Sequence, residues 1–92
     1  MVITDIRIRQ IEKESKLKAV ASITFDESFA VHDIKIIDGD KGLFIAMPSK
    51  KTLEGEYRDI VHPINQEFRS YLQGEILKKY AEIKEESISG EN

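Results

Sequence analysis

Two adjacent lysines, Lys50 and Lys51, follow the segment Met47-Pro48-Ser49, and Arg58 stands a short way downstream. Flexible cations on an exposed segment, held at both ends by strands, suit a phosphate backbone, which asks for positive charge and no particular base edge. Charged doublets are also common on any solvated surface, so the pair by itself specifies little. Arg69, Lys78, Lys79 and Lys84 add cations along a C-terminal helical stretch. The last turns of a helix favour positive charge through the macrodipole alone, which gives these residues a second, structural explanation. Arg7 and Arg9 share one face of a strand pattern and form a third cluster. The three clusters become one site only if the fold, or a two-fold axis, brings them together. Tyr57, Tyr71 and Tyr80 could stack on bases, although Tyr71 and Tyr80 lie on or beside an apolar stripe and fit a core.

Catalytic chemistry has little to stand on. His32 lies next to Asp33 and His62 next to Pro63, and neither has a nucleophile beside it in sequence. Catalytic histidines come with a nucleophile and an orienting group, so a hydrogen-bonded strand histidine and a junction histidine are the simpler readings. No glycine-rich phosphate loop, zinc spacing or nucleophile elbow is present. The run Asp38-Gly39-Asp40-Lys41-Gly42 resembles a calcium loop in its acidic spacing, but Leu43 stands where the sixth-position glycine is required. It reads as a turn. Neither a metal nor a cofactor is expected.

Ninety-two residues with 40% hydrophobic content make one domain, because so short a chain closes a single modest core. The net charge is −3, with Lys/Arg and Asp/Glu balanced at ten each over residues 1–58 and at four against seven over residues 59–92. The bulk basicity of a histone-like protein is excluded, and any nucleic-acid contact must come from local patches. Cysteine is absent, which removes disulfides and thiolate chemistry together. No apolar run approaches the roughly 18 residues of a membrane span, so a soluble intracellular protein is expected.

The elements that would position these residues follow from periodicity. Val2, Thr4, Ile6 and Ile8 alternate with Ile3, Asp5, Arg7 and Arg9, which predicts a strand with one apolar face. Residues 12–16 are polar and read as a turn. Leu17, Ala19, Ala21, Ile23 and Phe25 mark a second strand, with Val20 as an exception, and Phe29–Ile37 a third after a tight turn at Asp26-Glu27-Ser28. Leu43 to Pro48 is apolar on both sides, the pattern of a buried central strand covered on both faces. Ser49 to Gly55 reads as a polar loop and Glu56–Val61 as a short fifth strand. Asn65 is a helix N-cap after Pro63, and Phe68, Leu72, Ile76, Tyr80 and Ile83 form one stripe of a helix from about Gln66 to Lys84. The fold class is therefore α+β: a curved antiparallel sheet of about five strands with one long C-terminal helix on one face. Residues 1–84 form the domain and residues 85–92 a flexible polar tail. One helix covers one face only, so a homodimer is expected to cover the other.

Several blocks in one order carry a resemblance: Val2-Ile3-Thr4-Asp5-Ile6-Arg7, Ala21-Ser22-Ile23-Thr24-Phe25-Asp26, Val31 to Gly39, Gly42 to Lys51, and Asp59-Ile60-Val61-His62-Pro63-Ile64-Asn65. Together they are similar to the SpoVG family, the stage V sporulation or septation proteins. The likeness runs from Met1 to about Tyr80. It implies a non-enzymatic bacterial cytoplasmic regulator of septation, sporulation and gene expression that binds DNA and RNA. It also implies nucleic-acid contacts at the basic pair after Met-Pro-Ser, here Lys50-Lys51, and along the C-terminal helix. Lysine at Lys51, where arginine is frequent in the family, suits phosphate contact and not bidentate base readout. The residues expected to bind are Lys50, Lys51 and Arg58, extended by Arg69, Lys78 and Lys79. The alternative is a protein-interaction adaptor in septum formation that binds no nucleic acid and uses a sheet edge or the helix surface.

Overall fold

Ala19, Ala21, Ile23 and Phe25 fall at every second position of β2 (Leu17–Phe25) and all four are buried, as one face of a covered strand must be. The computed structural model describes residues 2–11 and 14–90, with side chains to residue 84. β1 (Ile3–Gln10), β2, β3 (Phe29–Gly39) and β4 (Gly42–Ala46) form one antiparallel sheet in sequence order. β5 (Ser49–Lys51) and β6 (Tyr57–Asp59) pair as a separate two-stranded ribbon, and α1 spans Gln66–Gly90. This is the expected α+β meander with a helix on one face. Of the polar turn expected at residues 12–16, Glu12 and Lys13 lie outside the described residues, as do Glu91 and Asn92 of the tail.

The helix begins where the sequence predicts. Asn65 Oδ1 accepts a hydrogen bond from the Phe68 backbone N–H at 2.7 Å, satisfying one of the donors left unpaired in a first helical turn. Leu72, Ile76 and Tyr80 are buried on the sheet, with Phe68 and Leu77 packed against the same cluster. Phe68 meets Phe25 of the sheet with ring centroids 5.9 Å apart. The backbone stays helical through Gly90, beyond the end at about Lys84 that the apolar stripe suggested, because a helix needs no buried face to add one more backbone hydrogen bond per residue. A Cβ added at Gly74 would meet nothing within 4 Å, so no close backbone approach explains that glycine.

Irregularities decide which side chains face the helix. In β1 the register shifts between Ile3 and Asp5, and the extra residue carries Ile3 onto the core side with Ile6 and Ile8. Val2 and Thr4, expected on the apolar face, are exposed instead. Thr4 Oγ1 accepts from the Glu27 N–H at 2.9 Å, and Val2 N–H donates to Asp26 Oδ1 at 3.0 Å. These bonds brace a turn whose Asp26 and Glu27 both take positive φ, 51° and 53°, a conformation that glycine or asparagine adopts more readily. In β3, Val31 and Ile34 are both buried although three residues apart. Asp33, at φ 62°, supplies the extra residue of a β-bulge opposite β2.

Two expectations about Gly42–Lys51 are corrected. β4 is an edge strand, paired only with β3, and not a central one. Ile45 is 3% exposed, yet Leu43 and Phe44 are 39% and 42% exposed, so the apolar run does not have cover on both faces. The helix guards the free edge: Gln73 Oε1 accepts from the Ile45 backbone N–H at 3.3 Å. Ser49-Lys50-Lys51, expected as a loop, is strand β5, so six strands in two sheets replace the expected five.

Candidate nucleic-acid interface

The ribbon is closed by local chemistry. Thr52 N–H donates to the Glu56 carbonyl at 2.7 Å, and Gly55 N–H donates to the Thr52 carbonyl at 3.0 Å. Gly55 takes φ 88°, which a residue without Cβ adopts at little steric penalty. At the other end Ile60 N–H donates to the Pro48 carbonyl at 2.7 Å, fixing the register in which Lys50 lies directly across from Arg58 and Lys51 across from Tyr57. Every residue of both strands is exposed.

This register places two like charges side by side. Directly opposed residues of an antiparallel pair have Cβ atoms roughly 5 Å apart, and like charges there repel. Among the described residues the one ion pair is Arg7 to Asp5 at 3.0 Å, so neither Lys50 nor Arg58 is held in a salt bridge. An anion held between them would relieve the repulsion. The pleat sends Lys51 to the other face of the ribbon with Tyr57, although Lys50, Lys51 and Arg58 all border one depression, which Asp59 also lines.

The remaining cations are spread over other surfaces. Arg69 is half-buried on the flank of α1 that carries Gln73 one turn later, and so faces β4. Lys78 and Lys79 border a depression with Glu75, Glu82 and the start of β1, on the opposite flank. Lys84 Nζ lies 5.5 Å from the Tyr80 ring centre. Arg7 and Arg9 lie on the sheet face away from the helix. A single chain therefore does not join the three clusters.

The histidines do not assemble a reaction centre. His32 Nδ1 is 3.0 Å from Ser22 Oγ, and His62 Nδ1 donates to the Pro63 carbonyl at 3.0 Å. A serine–histidine contact needs a third group on the other ring nitrogen to orient the base, and no described contact supplies one to His32, which sits on the open sheet face. Periodicity had left Lys18, Lys35 and Phe44 unremarked as functional residues. Only the strand register shows them on the same sheet face as Arg9, in its row or the next, because alternation gives a face and not a neighbour.

Between the segment from Val61 to Asn65, the start of α1 and the end of the sheet lies an apolar groove of about 310 Å³, bordered by Phe29, Val61, Pro63, Ile64 and Phe68 among others. Ile64 is 90% exposed.

Comparison with known proteins matches the chain to the SpoVG family over residues 1–82. Three relatives carry the name septation protein SpoVG. That of Thermoanaerobacter sp. (strain X514) is 59% identical over 89 residues, covering 97% of each chain. That of Agathobacter rectalis is 66% identical over 80 residues, covering 87% of this chain and 92% of the relative. That of Clostridium novyi (strain NT) is 56% identical over 92 residues, covering 100% of this chain and 92% of the relative. With a match over nearly its whole length and more than half of its residues shared with these relatives, the chain belongs to the SpoVG family.

Proposed function

We propose that this SpoVG-family protein is a non-enzymatic, nucleic-acid-binding regulator of septation and sporulation that acts on gene expression by binding DNA and RNA. Lys50 and Arg58 are the primary phosphate contacts, with Lys51 beside them and Arg69, Lys78 and Lys79 extending the footprint. The carrying observation is the Lys50–Arg58 pair facing across an exposed ribbon with neither residue in a salt bridge among the described residues. The septation role rests on the names of the relatives.

The protein acts in the cytoplasm as a homodimer, in which a second copy brings together cations that one chain spreads over separate surfaces. Among the described residues no helix is long and apolar enough to cross a membrane. A monomer mass in solution scattering at micromolar concentration would remove the dimer from this reading.

Electrostatic binding weakens with salt, with a log–log slope of about −0.9 per phosphate contacted on duplex DNA. Fluorescence anisotropy across a salt series tests the ribbon. K50A/R58A should reduce the slope by up to about 2, and an unchanged slope would make the ribbon a bystander.

The apolar groove and the exposed Ile64 favour a second reading, a septation adaptor that binds a partner protein and no nucleic acid. A pull-down from nuclease-treated lysate separates the two. Partners that survive nuclease, together with no binding of purified protein to DNA or RNA below about 10 µM, would favour the adaptor, since ordinary non-specific binding already reaches about 10⁻⁴ to 10⁻⁶ M.

A further inference from the structure

The sheet face that the helix leaves uncovered has its own charge order. Pairing sets out the side chains of this face in rows across the strands. Asp5 lies beside Thr24, and Arg7 beside Ser22, with His32 and Asp33 opposite Ser22. In the next row Arg9, Val20, Lys35 and Ala46 stand in succession across all four strands. Beyond it the register shifts between Leu17 and Ala19, so that Leu17, expected on the apolar face, pairs with Ile37 and through it with Phe44, and Lys18 is the extra residue of β2 beside them. Both acidic residues of the face fall in the first two rows, and Asp5 is already engaged by Arg7. The last two rows hold Arg9, Lys18 and Lys35 and no acid. Among the described residues the bordering segments add Glu14, Asp38 and Asp40 against Lys16 and Lys41, which leaves their sum with the three cations of the rows positive on a chain of net charge −3.

An aromatic ring lies in the same patch. A Cβ added at Gly39 would stand 2.7 Å from Phe44 Cε1, so the ring rests over the backbone of β3 where a side chain is missing. It stays 42% exposed there. A sheet face with an exposed ring on its edge strand and cations on the strands beside it matches the requirements of a single strand. Unstacked bases lie on an aromatic surface while the phosphates meet flexible cations. A duplex keeps its bases stacked inside and cannot use the ring.

We propose that the open face of the four-stranded sheet is a second nucleic-acid surface, specific for single strands, with Arg9, Lys18 and Lys35 on phosphates and Phe44 stacked on a base. It rests on the nucleic-acid reading above and adds a surface separate from the ribbon. Binding to a labelled single strand of about 12 nucleotides, a length within the range one such surface spans, tests it against a duplex of the same length. R9A/K18A/K35A should weaken single-strand binding at low salt by tenfold or more and reduce its log–log salt slope by about 2, from three contacts at about 0.7 each. The effect on the duplex should be small. Phe44→Leu, which keeps the site apolar, should weaken single-strand binding by about tenfold, the lower part of what one stacked base contributes. Unchanged single-strand binding in both variants, with K50A/R58A still defective, would overturn this surface and leave the ribbon standing. Absence of binding by the wild-type protein would remove both. A dimer lost in Phe44→Leu, with single-strand binding intact, would assign the face to a second copy of the chain and overturn the proposal.

Discussion

The helix-covered sheet and the β5–β6 ribbon are built on opposite terms. In the first, Ile23, Ile34, Ile36, Leu72 and Ile76 are fully buried between two layers. In the second, strands of three residues each are exposed throughout and closed by turn hydrogen bonds. An isolated two-stranded hairpin is marginal in water. The ribbon can therefore add little to stability, and like charges can face each other on it because no tight core depends on that spot. Stability and binding are carried by different parts of one small chain, and substitutions should separate them.

The largest effect is expected in the core. Ile76→Ala should cost about 2–5 kcal/mol, which for a chain of this size lowers Tm by roughly 4–8 °C per kcal/mol. Thermal melts followed by circular dichroism would show it, and a loss below 1 kcal/mol would mean that the helix does not close the core as described. K50A/R58A should do the reverse, leaving Tm nearly unchanged while flattening the salt dependence of nucleic-acid binding. A large Tm drop in that variant would break the contrast between the two regions.

Smaller effects sharpen the helix side of the contrast. Asn65→Ala removes the cap on Phe68 N–H and should cost about 1 kcal/mol. Gly74→Ala, in open space, should stabilise by about 1 kcal/mol, the usual difference between glycine and alanine inside a helix. A destabilised Gly74→Ala would point to a helix bend that alanine cannot follow. Glu27→Gly should raise stability by a few tenths of a kcal/mol at most, relief of the left-handed conformation being partly offset by the greater freedom glycine has when unfolded.

Legibility tracked how local the cause was. The stripe Phe68, Leu72, Ile76, Tyr80 and the Asn65 cap depend on spacing within one helix and could be read directly. β2 was equally plain, since its alternation is unbroken from Ala19 to Phe25. β3 was read as a strand, but nothing in Val31-His32-Asp33-Ile34 announced the bulge, because the extra residue exists only against a partner strand. β5 was missed for a similar reason: three polar residues have no period, and only pairing with Tyr57–Asp59 makes them a strand. The apolar run from Leu43 onward was misread as central because hydrophobicity records that some contact is favourable and not how many strands stand alongside.

For the candidate site, the residue types were visible and their arrangement was not. An α+β chain, the apolar sides of β2 from Ala19 to Phe25 and of α1, and the charged residues follow from composition and from periods of 2 and 3.6 alone. That β4 is an edge, that Lys50 faces Arg58, and that Lys35 lies next to Phe44 with Arg9 in the same row on the far strand follow only from the packed chain. Alternation assigns a side chain to a face, whereas its neighbours across the sheet are set by register, which turns, bulges and the burial of one face fix together.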